Sequence, residues 1–402
     1  MRLFTTPKVW DVLGMKSSYI LSAKRSAIAS FQGSLSSLSA PEIAAPVVKA
    51  ASLEQSSAIE EVYMGCVLTA GIGQAPARQA ALKGGLPPNV PCTTVGKVCG
   101  SGLKAVMLAD ISIKCGEASL ILAGGMESMS QAPYLLPKAR SGLRLGNGEL
   151  IDSMIKDGLW DAYNDFHMGV AAETCVKKFQ MTREAQDNYA AESYKRAQAA
   201  INNGFFAQEI VSIEVKSRKG ILQFNTDEEA SKFNPEKSKA LRPAFDPSGT
   251  ITAANASSLS DGAAALLIGS EEWTKKCKPM ARIVAQAQAA QDPVWFTTAP
   301  AESIKKLLQK AQLKASDIDA WEINEAFAAV ALVNTQLLEL DPAKVNIRGG
   351  AIALGHPIGA SGARILVTLA HTLSQTKKRY GIASLCIGGG EATSVLIENL
   401  EL

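Results

Sequence analysis

The sequence predicts an α/β protein made of two similar layered halves with a polar loop domain inserted between them. Three observations carry this expectation. Short apolar runs alternate with amphipathic helical stretches along the 402 residues, the pattern of strands and helices taken in turn. A unit of strand, glycine turn, helix, apolar run and second glycine cluster occurs twice. Between the two copies, 129–251 is rich in polar and charged residues, as insertions that carry binding loops often are. The first half is assigned to 15–128 and 252–279, the loop domain to 129–251, and the second half to 280–402.

The elements follow in order. Residues 1–14 lack the apolar core and small-residue cleavage site of a secretory signal and read as an untargeted extension before Met15. Thr93 to Ala109 forms the first strand, turn (Cys99-Gly100-Ser101-Gly102) and helix. Leu103, Val106, Met107 and Ile111 are set at helical spacing for its buried face. The run Ser119 to Ala123 closes at Gly124-Gly125 and reads as a buried strand. The loop domain carries a helix near Thr182–Asn202. In the second half, Val345 to Ala370 repeats strand, turn (His356 to Gly362) and helix, with Ile365, Leu366, Leu369 and Leu373 on the apolar face. Ile382 to Cys386 and Gly388-Gly389-Gly390 then match the first half's strand and glycines.

Composition excludes several functions. Lys+Arg number 41 against 38 Asp+Glu, a net charge of +3, which lacks the basic excess of a nucleic-acid binder. No apolar run approaches the ~18–20 residues that span a bilayer, so a membrane protein is not expected. Seven cysteines without a C-x-x-C pair give neither a disulfide framework nor a zinc site. A cytoplasmic location is expected, or the mitochondrial matrix if the source is eukaryotic; the terminus Leu400-Glu401-Leu402 is not a peroxisomal ending.

Four polar groups fall at places where chemistry is done. Cys99 lies between a strand and a helix N-terminus, where free N–H groups and the helix dipole are expected to lower its pKa and favour thiolate. His356 occupies the equivalent turn of the second half, so a pseudo-twofold arrangement would bring a nucleophile and a base together. Cys386 ends a strand before a glycine run. It could form a disulfide or act as an acid/base, and the glycines could expose an oxyanion-stabilising N–H. Asn324, in Asn324-Glu325-Ala326-Phe327, could orient a water or cap a helix.

These four segments, together with Asn255-Ala256-Ser257 running into Asp261-Gly262-Ala263-Ala264, resemble in the same order the thiolases, over nearly the whole chain from Met15. Within that family the acetyl-CoA C-acetyltransferase branch is most similar. The resemblance implies the thiolase fold and a transferase of lipid metabolism that joins two acetyl-CoA into acetoacetyl-CoA and CoA through an acyl-cysteine. Cys99 would be the nucleophile and His356 its activator, and Cys386 the acid/base on the second substrate. One oxyanion hole would use His356 with a water held by Asn324, the other the N–H groups of Cys99 and Gly388. The substrate-binding set would comprise His167, Met168, Ala253, Ser257, Phe296 and Phe327. Lys232 is the candidate for the CoA adenine. Phe296 with Tyr194 resembles the potassium-activated branch, in which oxygens at positions matching Tyr194, Ala253, Ala254, Ala256 and Ile352 hold the ion. The family implies no required cofactor beyond CoA thioester substrates, and a homotetramer whose loop domain supplies CoA and tetramer contacts. A broader 3-ketoacyl-CoA thiolase of fatty-acid degradation and a non-catalytic acyl-CoA scaffold are the competing readings.

Overall fold

The computed structural model describes residues 16–217 and 220–401; the expected extension at 1–14 lies outside them. In chain order the first half contributes β1 (Ser18–Ser26), α1 (Ala40–Ala51), β2 (Glu61–Gly65), α2 (Pro76–Lys83), β3 (Cys92–Val95), α3 (Ser101–Cys115) and β4 (Leu120–Ser128). The inserted segment carries α4 (Met168–Lys178) and α5 (Arg183–Asn202). Then follow β5 (Ser260–Ser270), β6 (Ala281–Ala290), α6 (Ala299–Ala311), β7 (Ala320–Ile323), α7 (Ala328–Leu337), α8 (Ile358–Thr376), β8 (Tyr380–Ile387) and β9 (Glu391–Asn399).

The internal repeat appears as strand order. The first half runs β3-β2-β4-β5-β1 and the second, read from its own outer edge, β7-β8-β9-β6. Val345 stands where β3 would be repeated, bridging in parallel to Trp321 of β7. Each half thus has β2 or β7 parallel to its neighbours and two antiparallel strands beyond. The halves meet where β1 pairs antiparallel with β6, Ser18 opposite Ile283. The strand expected from Val345 is therefore reduced to a single bridge: the chain turns into a 3-10 segment at Pro342–Lys344 and a glycine pair at 349–350 before it can pair further.

The layers follow from the burial pattern. Helices α1 and α2 cover the outer face of the first sheet half through Ile43, Val47, Val48, Ala77 and Ala80. Helix α6 covers the outer face of the second through Ile304, Leu307 and Leu308. Helices α3 and α8 fill the layer between, sharing one core with both halves. Every residue of α8 from Ile358 to Leu373 is buried, as a helix enclosed on all sides requires. Helix α3 departs from expectation at Ile111, which is 46% exposed. Asp110 is turned inward instead, accepting from Gln286 at 2.6 Å. Among the described residues no helix is long and apolar enough to cross a membrane.

The two central helices cross at glycines. A Cβ on Gly102 would lie 2.9 Å from Ala363 N, and one on Gly362 2.6 Å from Leu103 N; both are closer than side chains allow. Absence of the Cβ lets the backbones touch, and this draws together the turns that precede α3 and α8. Those turns hold Cys99 and His356.

Candidate active site

Cys99 follows a strained residue. Val98 has φ +43°, a conformation that costs a β-branched side chain ~1–3 kcal/mol. Ser101 holds the turn: its hydroxyl accepts from Lys97 N at 2.8 Å and donates to Val98 O at 2.7 Å. The result aims Cys99, half-buried, into a cavity of about 560 Å³. His356, Cys386 and Gly388 line the same cavity. Cys386 ends β8, and the chain then reverses through Gly388, Gly389 and Gly390 into β9.

Electrostatics make the resting site neutral. Burial pushes the Cys99 thiol up to about 11, against the N–H groups of Gly388 and of Cys99 itself, which point at the sulfur and favour its charged form. The thiolate expected from the helix N-terminus is thus overturned by desolvation, which outweighs the helix end. Burial and the neighbouring Cys99 raise Cys386 well above an ordinary thiol. Both cysteines are free, so the disulfide alternative does not hold. Burial, helped by Arg364, lowers His356 to about 3. Its imidazole is neutral throughout the physiological range.

The hydrogen bonds of His356 set its tautomer. The Ser361 hydroxyl is placed to donate to Pro357 O, 2.9 Å away. With its hydrogen used there, its lone pairs face His356 Nδ1 at 2.6 Å, the arrangement in which the ring proton sits on Nδ1. Nε2 is left as a buried acceptor without a partner. Glu127 ties the surrounding turns by accepting from Val67 N (3.0 Å), Leu68 N (3.1 Å) and Gly359 N (2.9 Å). Burial raises its carboxyl to about 7.

Asn324 is not a helix cap, since α7 begins four residues later at Ala328. It follows β7, its N–H bonded to Ser384 O of β8 at 3.0 Å. It is buried beside the strand that carries Cys386 but does not line the cavity. Both atoms of its carboxamide lack a partner. Buried polar atoms are rarely left so, and a carboxamide in this state suits an ordered water.

The far wall is aromatic. His167 stacks on Phe245 at 4.7 Å and 18°, and its Nδ1 accepts from Gly169 N at 3.0 Å. Phe327 meets Phe245 edge-on at 5.9 Å and Phe296 at 6.3 Å. Met168, Ala253, Ala256 and Ser257 complete this side, and Ser257 Oγ donates to Ala326 O at 3.0 Å. Of the five expected cation ligands, Ala253 and Ala256 line the cavity, whereas Tyr194 and Ile352 share a separate buried cluster. Tyr194 stacks on Phe233 at 4.3 Å. Lys232 does not line the cavity; it pairs at 3.1 Å with Glu229, which does. Among the described residues no group of three or more His, Cys, Asp or Glu could hold a metal ion.

Sequence reasoning missed Phe245 and the apolar lining of Met129, Met154, Leu159 and Ile358. It also missed the supports Ser101, Ser361 and Glu127. Phe245 stands in a proline-flanked loop, where no periodicity marks a side chain as inward. Ser361 could have been found, since a hydroxyl one helical turn past a histidine at a helix start is within its reach.

Comparison with known proteins extends these observations. The profile of the thiolase N-terminal domain matches residues 18–272, and that of the thiolase C-terminal domain residues 277–399. Acetyl-CoA acetyltransferase 1 of Arabidopsis thaliana is 49% identical over 96% of this chain and 95% of its own. The acetyl-CoA acetyltransferase of Cupriavidus necator is 50% identical over 94% and 98%. The crystal structure of the Bacillus anthracis acetyl-CoA acetyltransferase superposes with a TM-score of 0.94 at 40% identity, covering 96% of this chain and 99% of that one. A thiolase from Ascaris suum in complex with coenzyme A superposes at 0.90 with 45% identity, covering 96% and 100%.

Proposed function

The chain belongs to the thiolase family, and from that premise we propose that it is an acetyl-CoA C-acetyltransferase whose reaction runs through an acetyl-Cys99 intermediate. The observation that carries the proposal is the convergence of Cys99, His356, Cys386 and Gly388, drawn from equivalent places in the two halves, on one cavity.

The steps balance within these residues. His356 Nε2 takes the Cys99 proton as the sulfur attacks the thioester carbonyl of acetyl-CoA. The N–H groups of Cys99 and Gly388 stabilise the oxyanion. Collapse breaks the C–S bond to CoA, whose sulfur takes the proton of Cys386. Cys386, now a thiolate, removes a proton from the methyl of a second acetyl-CoA. Nε2–H of His356 and a water on Asn324 hold the enolate oxygen. The carbanion attacks the acetyl-Cys99 carbonyl, the C–S bond breaks, and Cys99 recovers its proton from His356. A thiol held neutral until substrate arrives suits this cycle, because each proton moves with a bond change and no buried charge persists at rest. In this reading His167, Met168, Phe296, Phe327, Ala253 and Ser257 bind the pantetheine arm and the short acyl group.

Ser361 keeps His356 in the required tautomer. Ser361→Ala is expected to lower kcat about tenfold, the value of one lost hydrogen bond, with KM for CoA nearly unchanged. Thiolysis kinetics of acetoacetyl-CoA check this; a rise in KM at constant kcat would contradict it.

The same reading includes a monovalent cation. The backbone hydrogen bonds near Ile352 run from Gly355 N to Ala351 O and from His356 N to Ser258 O, passing over the Ile352 carbonyl. Among the described residues no hydrogen bond is directed at the carbonyls of Ala253, Ala254 or Ala256 either. Neutral oxygens of this kind, with the Tyr194 hydroxyl, suit a hard cation such as potassium, which would brace the loop beside the cavity. A substrate panel of acetoacetyl-CoA, its 2-methyl derivative and longer 3-ketoacyl-CoAs, run in potassium and in sodium at fixed ionic strength, tests both parts. The C4 substrate should be turned over fastest and potassium should raise the rate. Preference for long chains overturns the substrate, and equal rates in both salts remove the ion.

The same reading includes a homotetramer, supported by the exposed Tyr134, Leu145, Leu150 and Tyr163 of the inserted segment. It also places the enzyme in a reducing compartment, the cytoplasm or the mitochondrial matrix, because both working cysteines must stay reduced.

A further inference from the structure

Glu325 follows Asn324 and is fully buried, yet it does not line the cavity. Its two oxygens receive four donors. Oε1 accepts from Tyr189 Oη at 2.9 Å and from Asn346 Nδ2 at 3.0 Å. Oε2 accepts from Ser193 Oγ at 2.7 Å and from Ile352 N at 3.1 Å. Tyr189 and Ser193 lie on α5 of the inserted segment, whereas Asn346 and Ile352 lie on the run of chain that leads to His356. Asn346 also clasps the end of β7, accepting from Ile323 N at 2.9 Å and donating to Ile323 O at 2.8 Å. Ser193 Oγ accepts from Gly350 N at 3.1 Å. Gly350 leaves the room this needs, since a Cβ there would sit 2.4 Å from the Glu325 carboxyl carbon.

One carboxylate therefore joins three segments: the turn that carries Asn324, the turn that precedes His356, and helix α5. Burying an acid is costly unless every lone pair it presents is met, and here the donors come from the very segments whose relative position fixes the oxyanion pair. Burial and the Glu325 carboxylate raise the Tyr189 phenol far above its ordinary range, so its O–H is a permanent donor.

We propose that Glu325 is a positioning residue that holds Asn324 and His356 in mutual register and makes that register depend on α5 being docked. The proposal rests on the acyl-transfer reading above for its kinetic arm only. An amide at this position could still accept at one oxygen. Its NH₂ would face either Asn346 Nδ2 or Ile352 N, and neither can turn to accept. The Tyr189 and Ser193 hydroxyls can turn. Glu325→Gln should therefore loosen one of the two ties into the active site while leaving the contacts with α5 largely in place.

The experiment compares the full-length parent with Glu325→Gln, Tyr189→Phe and Ser193→Ala. It measures kcat and KM for acetoacetyl-CoA thiolysis, the rate of Cys99 alkylation by iodoacetamide across pH, and thermal unfolding. Misplacement of reacting groups by about 1 Å costs on the order of 100-fold, so Glu325→Gln should lose roughly that in kcat with KM for CoA little changed. Cys99 alkylation should slow about tenfold, because Nε2 no longer lies in line to take the thiol proton. Tyr189→Phe and Ser193→Ala should shift kcat and alkylation in the same direction by smaller factors. Parental kcat and alkylation in a folded Glu325→Gln protein would overturn the proposal, as would a rise in KM that accounts for the whole loss. If Glu325→Gln fails to fold, the two α5 variants decide in the same way. If the parent itself does not cleave acetoacetyl-CoA, the functional reading fails, and the alkylation rates alone decide the role of Glu325.

Discussion

Cys99→Ala is expected to lower acetoacetyl-CoA formation by at least about 10⁴-fold, the scale seen when an enzyme loses its covalent nucleophile, with the melting temperature close to that of the parent. The two halves of this expectation come from different parts of the structure. The loss in rate follows because the Cys99 sulfur is the group at which the N–H of Gly388 is aimed, so no other thiol is placed to receive the acetyl group between those donors. The preserved stability follows because the strained turn at Val98 is held by Ser101, which bonds Lys97 N and Val98 O and not the thiol. Steady-state condensation kinetics and thermal unfolding of the purified variant check both. Residual activity within tenfold of the parent would remove the acyl-cysteine from the account, and a collapse in melting temperature would make the lost activity uninformative about chemistry.

Cys386→Ala should separate the two half-reactions. Condensation is expected to fall by about 10³-fold, within the range carried by a positioned acid or base. Acetyl transfer from acetyl-CoA to Cys99 should survive at a reduced rate, because CoA thiolate can depart without a protein proton. The variant should therefore accumulate acetyl-enzyme that the parent turns over. The buried position of Cys386 and the rise in its pKa from Cys99 nearby explain why a thiol serves here. It rests neutral in an apolar wall, and it becomes a strong base once its proton has gone to CoA. Loss of both half-reactions together would instead make the Cys386 proton indispensable to the departure of CoA in the first step.

Much of this was legible in the sequence because the repeat carries the fold. Two copies of one strand-turn-helix unit predict two equivalent turns, and Gly102 and Gly362 are the residues that let those turns meet. Among the seven cysteines, Cys99 opens the glycine turn before α3 and Cys386 precedes the Gly388–Gly390 run after β8. Three features were not legible, each for a physical reason. Desolvation of Cys99 depends on walls contributed by distant segments, so a helix N-terminus alone pointed to the wrong protonation state. The strand expected at Val345 shrank to one bridge because Asn346, with φ +48°, turns the backbone out of the sheet to grip Ile323. Phe245 lies in an irregular loop of the inserted segment, which gives no periodicity from which to infer burial, and the donors around Glu325 come from α5 and from the run before His356, segments that only the tertiary fold brings together.

The most direct measurement is the site of acetylation. Cys386→Ala protein, incubated with acetyl-CoA and digested under acid conditions, should show one acetyl group by mass spectrometry, on the peptide that contains Cys99. Absence of the adduct, or its location on another of the cysteines, would contradict an acetyl-Cys99 intermediate and the function drawn from it.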